Sequence, residues 1–320
     1  MNEVSINTLY LHYDIFGAEH ENTILLISGL GTQMIHWRDL FCQMLAQRGF
    51  RVIRFDNRDV GLSTHLHDQP APELSDLIHA TQNGENIKIA YTLHDMVEDT
   101  VGLLDALAID QVHIIGRSMG GMIAQLMAST YPKRVKSLIS IMSSTGNPAL
   151  PSAQADVMAL LTCPSPDPHL NKTDFFLHKL HFAKYISSPR FSFDENAYLK
   201  LISEEYDRNY DPDGLKRQIA AIAATGDIRS YLACIIAPTL VIHGTEDLLI
   251  PIACGQDSAK SISGAKLLTI EGMGHDLPTD LYQFIIDAIA AHIQQASKAS
   301  PRSVTNRPTN NRTMRYTDLK

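Results

Sequence analysis

The stretch Val112-His113-Ile114-Ile115-Gly116-Arg117-Ser118-Met119-Gly120-Gly121-Met122-Ile123-Ala124 constrains the fold of this chain more than any other. An apolar run suited to a buried strand enters Gly116-x-Ser118-x-Gly120, and a helix-like pattern leaves it. So tight a turn between strand and helix strains Ser118 and projects its hydroxyl beyond the end of a sheet. Side chains at the flanking glycines would collide with the neighbouring strand and helix. An ordinary tight turn containing a serine is the bland alternative, and the strand before and helix after count against it.

The rest of the chain repeats the strand-then-helix rhythm. Strand-like runs fall at Leu9–Ile15, Thr23–Ile27, Arg51–Phe55, Val112–Ile115, Val135–Met142, Thr239–Ile242 and Lys266–Ile270. Helix-like stretches fall at Trp37–Arg48, Met96–Leu107, Met119–Ser129, Ile252–Ile262 and Asp280–Gln294. Short apolar runs followed by helices imply an α/β fold: a mostly parallel central sheet with helices on both faces and right-handed crossovers. The rhythm stops between Asn147 and Arg229, a stretch with Pro148, Pro151, Pro164, Pro166 and Pro168, then Phe175, Phe176, Phe182 and Tyr185. A helical insertion there reads as a cap over the ligand-binding end of the sheet, its aromatics divided between an acyl pocket and the cap's own core. The expected organisation is a core of residues 1–146 and 230–296, a cap or lid at 147–229, and a basic tail at 297–320. The tail lacks apolar periodicity and is expected to be disordered.

A serine hydroxyl is a weak nucleophile that needs a base and an acid to orient that base. Hydrolases built on this elbow order them along the chain as Ser, acid, His. Strand Thr239–Ile242 runs into His243-Gly244-Thr245-Glu246-Asp247, which offers Asp247 as the acid. Strand Lys266–Ile270 runs into Glu271-Gly272-Met273-Gly274-His275-Asp276, which offers His275 as the base. Parallel strands share a C-terminal edge, so both loops emerge beside the elbow. Asp247 could instead cap a helix, Glu246 is its neighbouring competitor, and His275 could be a loop histidine. The other position for the acid, after the strand that follows the elbow, reads Ser143-Ser144-Thr145 and holds no carboxylate. Two backbone N–H donors should stabilise the oxyanion, one from Met119 and one from Leu30 in the Ser28-Gly29-Leu30-Gly31-Thr32 loop.

Further segments carry a resemblance. Phe55-Asp56-Asn57-Arg58-Asp59-Val60-Gly61-Leu62-Ser63-Thr64, the Ser28-to-Gly31 loop followed by His36-Trp37, Gly272-Met273-Gly274-His275-Asp276-Leu277-Pro278, and Tyr210-Asp211-Pro212-Asp213-Gly214 with Arg217-to-Ile222 stand out. With the elbow, they make the chain similar to the α/β-hydrolase fold superfamily. Within it, the chain resembles the carboxylesterase group that includes aclacinomycin methylesterase-like proteins. The match spans about residues 3–295 and is loosest across 147–200. It implies an esterase with Ser118, Asp247 and His275 as catalytic triad, Leu30 and Met119 at the oxyanion hole, and Gly29, His36, Trp37 and Arg117 about the substrate pocket. Arg117 departs from the small residue or histidine usual before the nucleophile and would alter the charge near the pocket. Many relatives carry His-Gly where this chain has Ser28-Gly29; a backbone donor survives that change.

The expected function is therefore cleavage of small to medium carboxylic esters through an acyl-enzyme, with no cofactor and no metal. The same fold also hosts C–C hydrolase, perhydrolase and acyl-transfer chemistry, and a non-catalytic binding protein is a further alternative. Dehalogenase and epoxide hydrolase chemistry is excluded because those relatives place an aspartate where Ser118 stands. Within Asp56–Ser63, Arg58 is expected to tie its loop to a carboxylate and Gly61 to permit a turn. His65 and His67 have the spacing of a metal pair, but no third ligand accompanies them in the sequence, so they read as loop histidines. A formal charge of −8 argues against a nucleic-acid partner. No segment is apolar for long enough to span a bilayer. Cys42, Cys163, Cys234 and Cys254 are scattered, as expected of thiols in a reducing cytoplasm. The partner is expected to be a small-molecule ester, with the oligomeric state left open.

Overall fold

The computed structural model describes residues 2–298 and 313–315. In chain order its strands are β1 (Asn2–Ile6), β2 (Leu9–Phe16), β3 (Asn22–Ile27), β4 (Phe50–Phe55), β5 (Val112–Arg117), β6 (Val135–Ile141), β7 (Thr239–Gly244), β8 (Lys266–Ile270) and β9 (Thr313–Arg315). The helices are α1 (Asp39–Ala46), α2 (Leu74–Asn83), α3 (Leu93–Ala106), α4 (Met119–Thr130), α5 (Ala155–Thr162), α6 (Lys172–Tyr185), α7 (Glu195–Arg208), α8 (Pro212–Thr225), α9 (Arg229–Leu232), α10 (Ile252–Ser261) and α11 (Tyr282–Lys298). The strands form one sheet in the order β1-β2-β4-β3-β5-β6-β7-β8-β9. Only the β1–β2 and β2–β4 pairs are antiparallel. The expected mostly parallel sheet is thus observed, with β5 near its middle.

Alternate residues of a strand face opposite sides of its sheet, and β3 shows how this sequence uses that. Leu25 and Ile27 join the core beneath α3 and α4, whereas Ile24 and Leu26 join the core beneath α1 and α11. Both faces are apolar because both are covered. The α4 sequence is apolar on nearly every side for the same reason: Met119 through Ala128 are all buried. No helix among the described residues is long and apolar enough to cross a membrane.

Helices α5 to α8 interrupt the alternation between β6 and β7. Phe175, Phe176, Tyr206 and Tyr210 pack their rings on one another there, forming a small aromatic core within the insertion. The insertion is fastened to the sheet-end loops by enclosed polar pairs. Arg217 grips Asp59 through two bonds of 2.9 and 2.8 Å and reaches Asp211 at 2.9 Å. Arg208 pairs with Asp56 and donates to Gln33 at 2.6 Å.

Several elements depart from the sequence expectation. β1 and α2 carry weak apolar periodicity and were not expected. α1 starts at Asp39, leaving Trp37 outside it, because residues 34–36 form a single 3₁₀ turn. β5 and β7 each run two residues past their expected ends, so His243 and Gly244 belong to a strand rather than a loop. The tail expectation for 297–320 falls mostly outside the described residues. Within it, α11 continues to Lys298, and Thr313–Arg315 pairs in parallel with β8. An open sheet edge offers a backbone ladder that needs no apolar side chains.

Candidate active site

β5 delivers Ser118 at its C-terminal end, and the backbone there is strained. Ser118 has φ 53° and ψ −126°, a conformation that side-chain-bearing residues rarely adopt. The glycines make room for it: a Cβ on Gly116 would lie 2.0 Å from the Gly120 carbonyl oxygen, and one on Gly120 would lie 2.3 Å from the Ile27 carbonyl oxygen. Ser118 N–H donates to the Ile141 carbonyl at 3.0 Å, and Ser143 Oγ donates to the Ser118 carbonyl at 2.8 Å, which pins the turn to β6 and the segment beyond it.

The loops after β7 and β8 bring the other two expected residues to this hydroxyl. His275 Nε2 lies 3.1 Å from Ser118 Oγ, and His275 Nδ1 lies 2.8 Å from Asp247 Oδ2. The Asp247 side chain is fully enclosed, and its other oxygen accepts from the Leu249 and Ile250 N–H groups at 3.0 and 2.8 Å. Glu246, the competitor, is exposed. An imidazole held between a hydroxyl and a buried carboxylate can take the hydroxyl proton as that oxygen attacks an electrophile.

The two N–H groups expected to serve an oxyanion are both unpaired. Met119 opens α4, where helix geometry leaves its N–H without a partner, and among the described residues neither it nor Leu30 N–H finds an acceptor. Gly29 packs directly on the elbow; a Cβ there would be 3.3 Å from Ser118 Cβ. The loop is held from the insertion, since Gly31 N–H donates to Gln218 Oε1 at 2.8 Å.

The remaining pocket expectations separate. Trp37 is almost wholly buried in the core, packed on Phe41 with ring centres 5.5 Å apart. The Arg117 guanidinium lies 5.6 Å from the centre of the Trp37 ring. His36 Nε2 sits 2.7 Å from Glu205 Oε1 of α7. Burial lowers the His36 pKa more than Glu205 raises it. Burial alone would raise the Glu205 pKa; His36, Lys179 and the Gln33 N–H outweigh it and hold the carboxyl at about 2.

Four supporting residues were given no role by the sequence. His243 Nε2 bonds the Ile250 carbonyl at 2.8 Å and lies 3.6 Å from Asp247 Oδ2, bracing the acid's loop from below. Asp276 accepts from the Ser188 N–H at 2.9 Å and from the Ser188 hydroxyl. The segment between α6 and α7 also grips the histidine loop directly, with His275 N–H to the Ile186 carbonyl at 2.8 Å and Gly274 N–H to Ser188 Oγ at 2.8 Å.

The surrounding loops correct one expectation and agree with two. Arg58 holds Asp99 at 2.5 and 2.6 Å, and Gly61 turns with φ 60°, both as anticipated. His65 and His67 do have a third potential ligand. Asp211, at the start of α8, brings the three ligand atoms within 4.8 Å of one another. Separated from the pair by over a hundred residues, it was invisible as a neighbour. Asp211 Oδ2 already accepts from His65 at 2.8 Å and Arg217 at 2.9 Å, so the cluster pins loop to insertion. All four cysteines are free thiols.

Comparisons with known proteins agree with this architecture. A family model described as alpha/beta hydrolase fold matches residues 22–280. The RutD protein of Variovorax paradoxus, named as a carbamate hydrolase, is 28% identical over 271 residues, covering 83% of this chain and 89% of its own. The rhodomycin D methylesterase DauP of a Streptomyces species is 26% identical over 305 residues, covering 88% of this chain and 94% of its own. Among solved structures, the enol-lactonase of Burkholderia xenovorans superposes with a TM-score of 0.65 at 23% identity, covering 93% of this chain and all of its own; it speaks for the fold alone.

Proposed function

The chain belongs to the alpha/beta hydrolase fold family, and from that premise we propose that it is a carboxylic ester hydrolase acting through Ser118, His275 and Asp247. The observation that carries the reading is the unbroken line from Ser118 Oγ through His275 to the enclosed Asp247 carboxylate, 3.1 and 2.8 Å long. The unpaired Leu30 and Met119 N–H groups beside it supply what a tetrahedral oxyanion needs. A relative at 26% identity that is named a methylesterase supports ester over other acyl substrates.

In this mechanism His275 Nε2 accepts the Ser118 proton while Oγ adds to the ester carbonyl carbon. Asp247 keeps the other ring proton on Nδ1, directing the free lone pair of Nε2 at Ser118, and offsets the charge of the imidazolium. The oxyanion leans on the Leu30 and Met119 N–H groups. His275 then gives its proton to the departing alkoxide, leaving Ser118 acylated. Water repeats the sequence: His275 takes its proton, the hydroxide oxygen bonds to the acyl carbon, and the carboxylic acid leaves as the proton returns to Ser118. Every proton is carried by the chain's own residues. Helices α5 to α8 act as the cap, and the substrates are small to medium esters.

The test is labelling with a fluorophosphonate followed by mapping of the modified residue. Modification at Ser118, abolished in Ser118→Ala along with p-nitrophenyl butyrate hydrolysis, is the expected result. An unlabelled chain, or a Ser118→Ala variant retaining more than about one per cent of turnover, would remove Ser118 from the chemistry.

A further inference from the structure

Arg117 is an unsatisfied cation beside the proposed nucleophile. The other arginines enclosed by the fold each hold a carboxylate: Arg54 with Asp14, Arg58 with Asp99, Arg208 with Asp56, Arg217 with Asp59. Arg117 has no such partner among the described residues; its guanidinium carbon lies over the face of Trp37, 5.6 Å from the ring centre. The two carboxylates that bear on it are committed elsewhere, Glu205 to His36 and Lys179, Asp276 to Ser188. Burial raises the Asp276 pKa above its ordinary value. Burial correspondingly pulls the Arg117 guanidinium below its ordinary value, the mark of a charge that its surroundings do not balance.

Position gives that charge a use. Arg117 immediately precedes Ser118, and both are partly exposed while the residues on either side of them, Gly116 and Met119, are buried. The groups bearing on the guanidinium come from the insertion (Tyr198, Glu205), from the loop of His275 (Asp276) and from α11 (Tyr282). It therefore stands where core and insertion meet over the site. A guanidinium over an indole face has N–H donors left to offer, and those donors fit a carboxylate through two parallel bonds.

We propose that Arg117 binds a carboxylate carried by the ester, making this an enzyme for anionic esters such as monoesters of dicarboxylic acids. The inference rests on the ester-hydrolase reading above and adds the substrate's charge to it. Arg117 acts in binding and orienting; it moves no proton and forms no bond.

The test compares substrates matched in size but not in charge. Mono-4-nitrophenyl glutarate against 4-nitrophenyl pentanoate places the carboxylate on the acyl side, and 3-carboxyphenyl butyrate against phenyl butyrate places it on the alcohol side. The full chain should favour the anionic member of at least one pair by about tenfold or more in kcat/KM, mainly through KM. Arg117→Gln should erase that ratio, and Arg117→Lys should restore part of it. Equal or lower kcat/KM for the anionic member in both pairs overturns the proposal with the full chain alone, whatever the variants do. A ratio untouched by Arg117→Gln overturns it as well. Fluorophosphonate labelling of Ser118, run alongside, reads the nucleophile by itself. A chain that labels but shows no charge preference loses only the anion site, whereas a chain that does not label loses the esterase reading.

Discussion

Replacing Asp247 by asparagine should nearly silence the enzyme while leaving its fold intact. The carboxylate accepts three bonds: Leu249 and Ile250 N–H on Oδ1, at 3.0 and 2.8 Å, and His275 Nδ1 on Oδ2, at 2.8 Å. An asparagine can keep both backbone bonds only by turning its oxygen to them. Its NH₂ then faces Nδ1, which must become an acceptor, so the ring proton moves to Nε2. That nitrogen faces Ser118 Oγ at 3.1 Å and could no longer take its proton. A wrong tautomer of this kind costs about 10⁴ in kcat, on the order of 5 kcal/mol of transition-state stabilisation. Two of three bonds survive and the amide has the same shape, so the urea-unfolding free energy should fall by no more than about 1–2 kcal/mol. Steady-state p-nitrophenyl butyrate kinetics, beside urea melts of the same preparations, measure both quantities. Glu246→Gln is the control, because that side chain is exposed. An Asp247→Asn enzyme within tenfold of the parent, or a larger loss in Glu246→Gln, would refute the tautomer argument and the assignment of the acid.

Arg217→Met should destabilise the protein by about 3–5 kcal/mol, since it strands Asp59 and Asp211 without their cation; in urea melts, adding Asp59→Asn should return part of that loss, and strict additivity would argue against the pair. Gly120→Ala should cost about 3 kcal/mol or more by the same measurement, because its Cβ would press on the Ile27 and Ser28 carbonyl oxygens at 2.3 and 2.5 Å; a neutral effect would mean the elbow can relax. The Glu205 carboxyl, held at about 2 when folded against 4.5 ordinarily, stabilises the fold above pH 4.5, and this contribution is lost as pH falls from there towards 2. Glu205→Gln should therefore lower stability at pH 7 by on the order of 3 kcal/mol and flatten its decline in acid, and parallel curves for the two proteins would contradict it.

The fold and the meeting of three distant side chains were legible for one reason: parallel strands end at a common edge. A serine, an aspartate and a histidine, each just past an apolar run, had to arrive together, so Ser118, Asp247 and His275 were readable at separations of 129 and 28 residues. The same rule set Gly29 against the elbow. The supporting contacts were not, because they depend on where the insertion lands. Nothing about Gln218 announces a bond to Gly31 N–H, nor about Arg208 a pairing with Asp56. Asp211 beside the two histidines was missed likewise. Trp37 was placed about the pocket by its neighbours in sequence, yet a single 3₁₀ turn sends its ring into the core.

The grip of Ile186 and Ser188 on the histidine loop has a mechanical consequence. Three bonds of 2.8 to 2.9 Å tie the insertion to Gly274, His275 and Asp276, so any outward swing at that end would carry the imidazole away from Ser118. In the proposed cap, a roof bolted to the machinery beneath it cannot serve as a door. Traffic must pass through a doorway elsewhere along the seam while the bolts hold, and turnover should proceed without a lag on dispersed droplets and with little response to solvent viscosity.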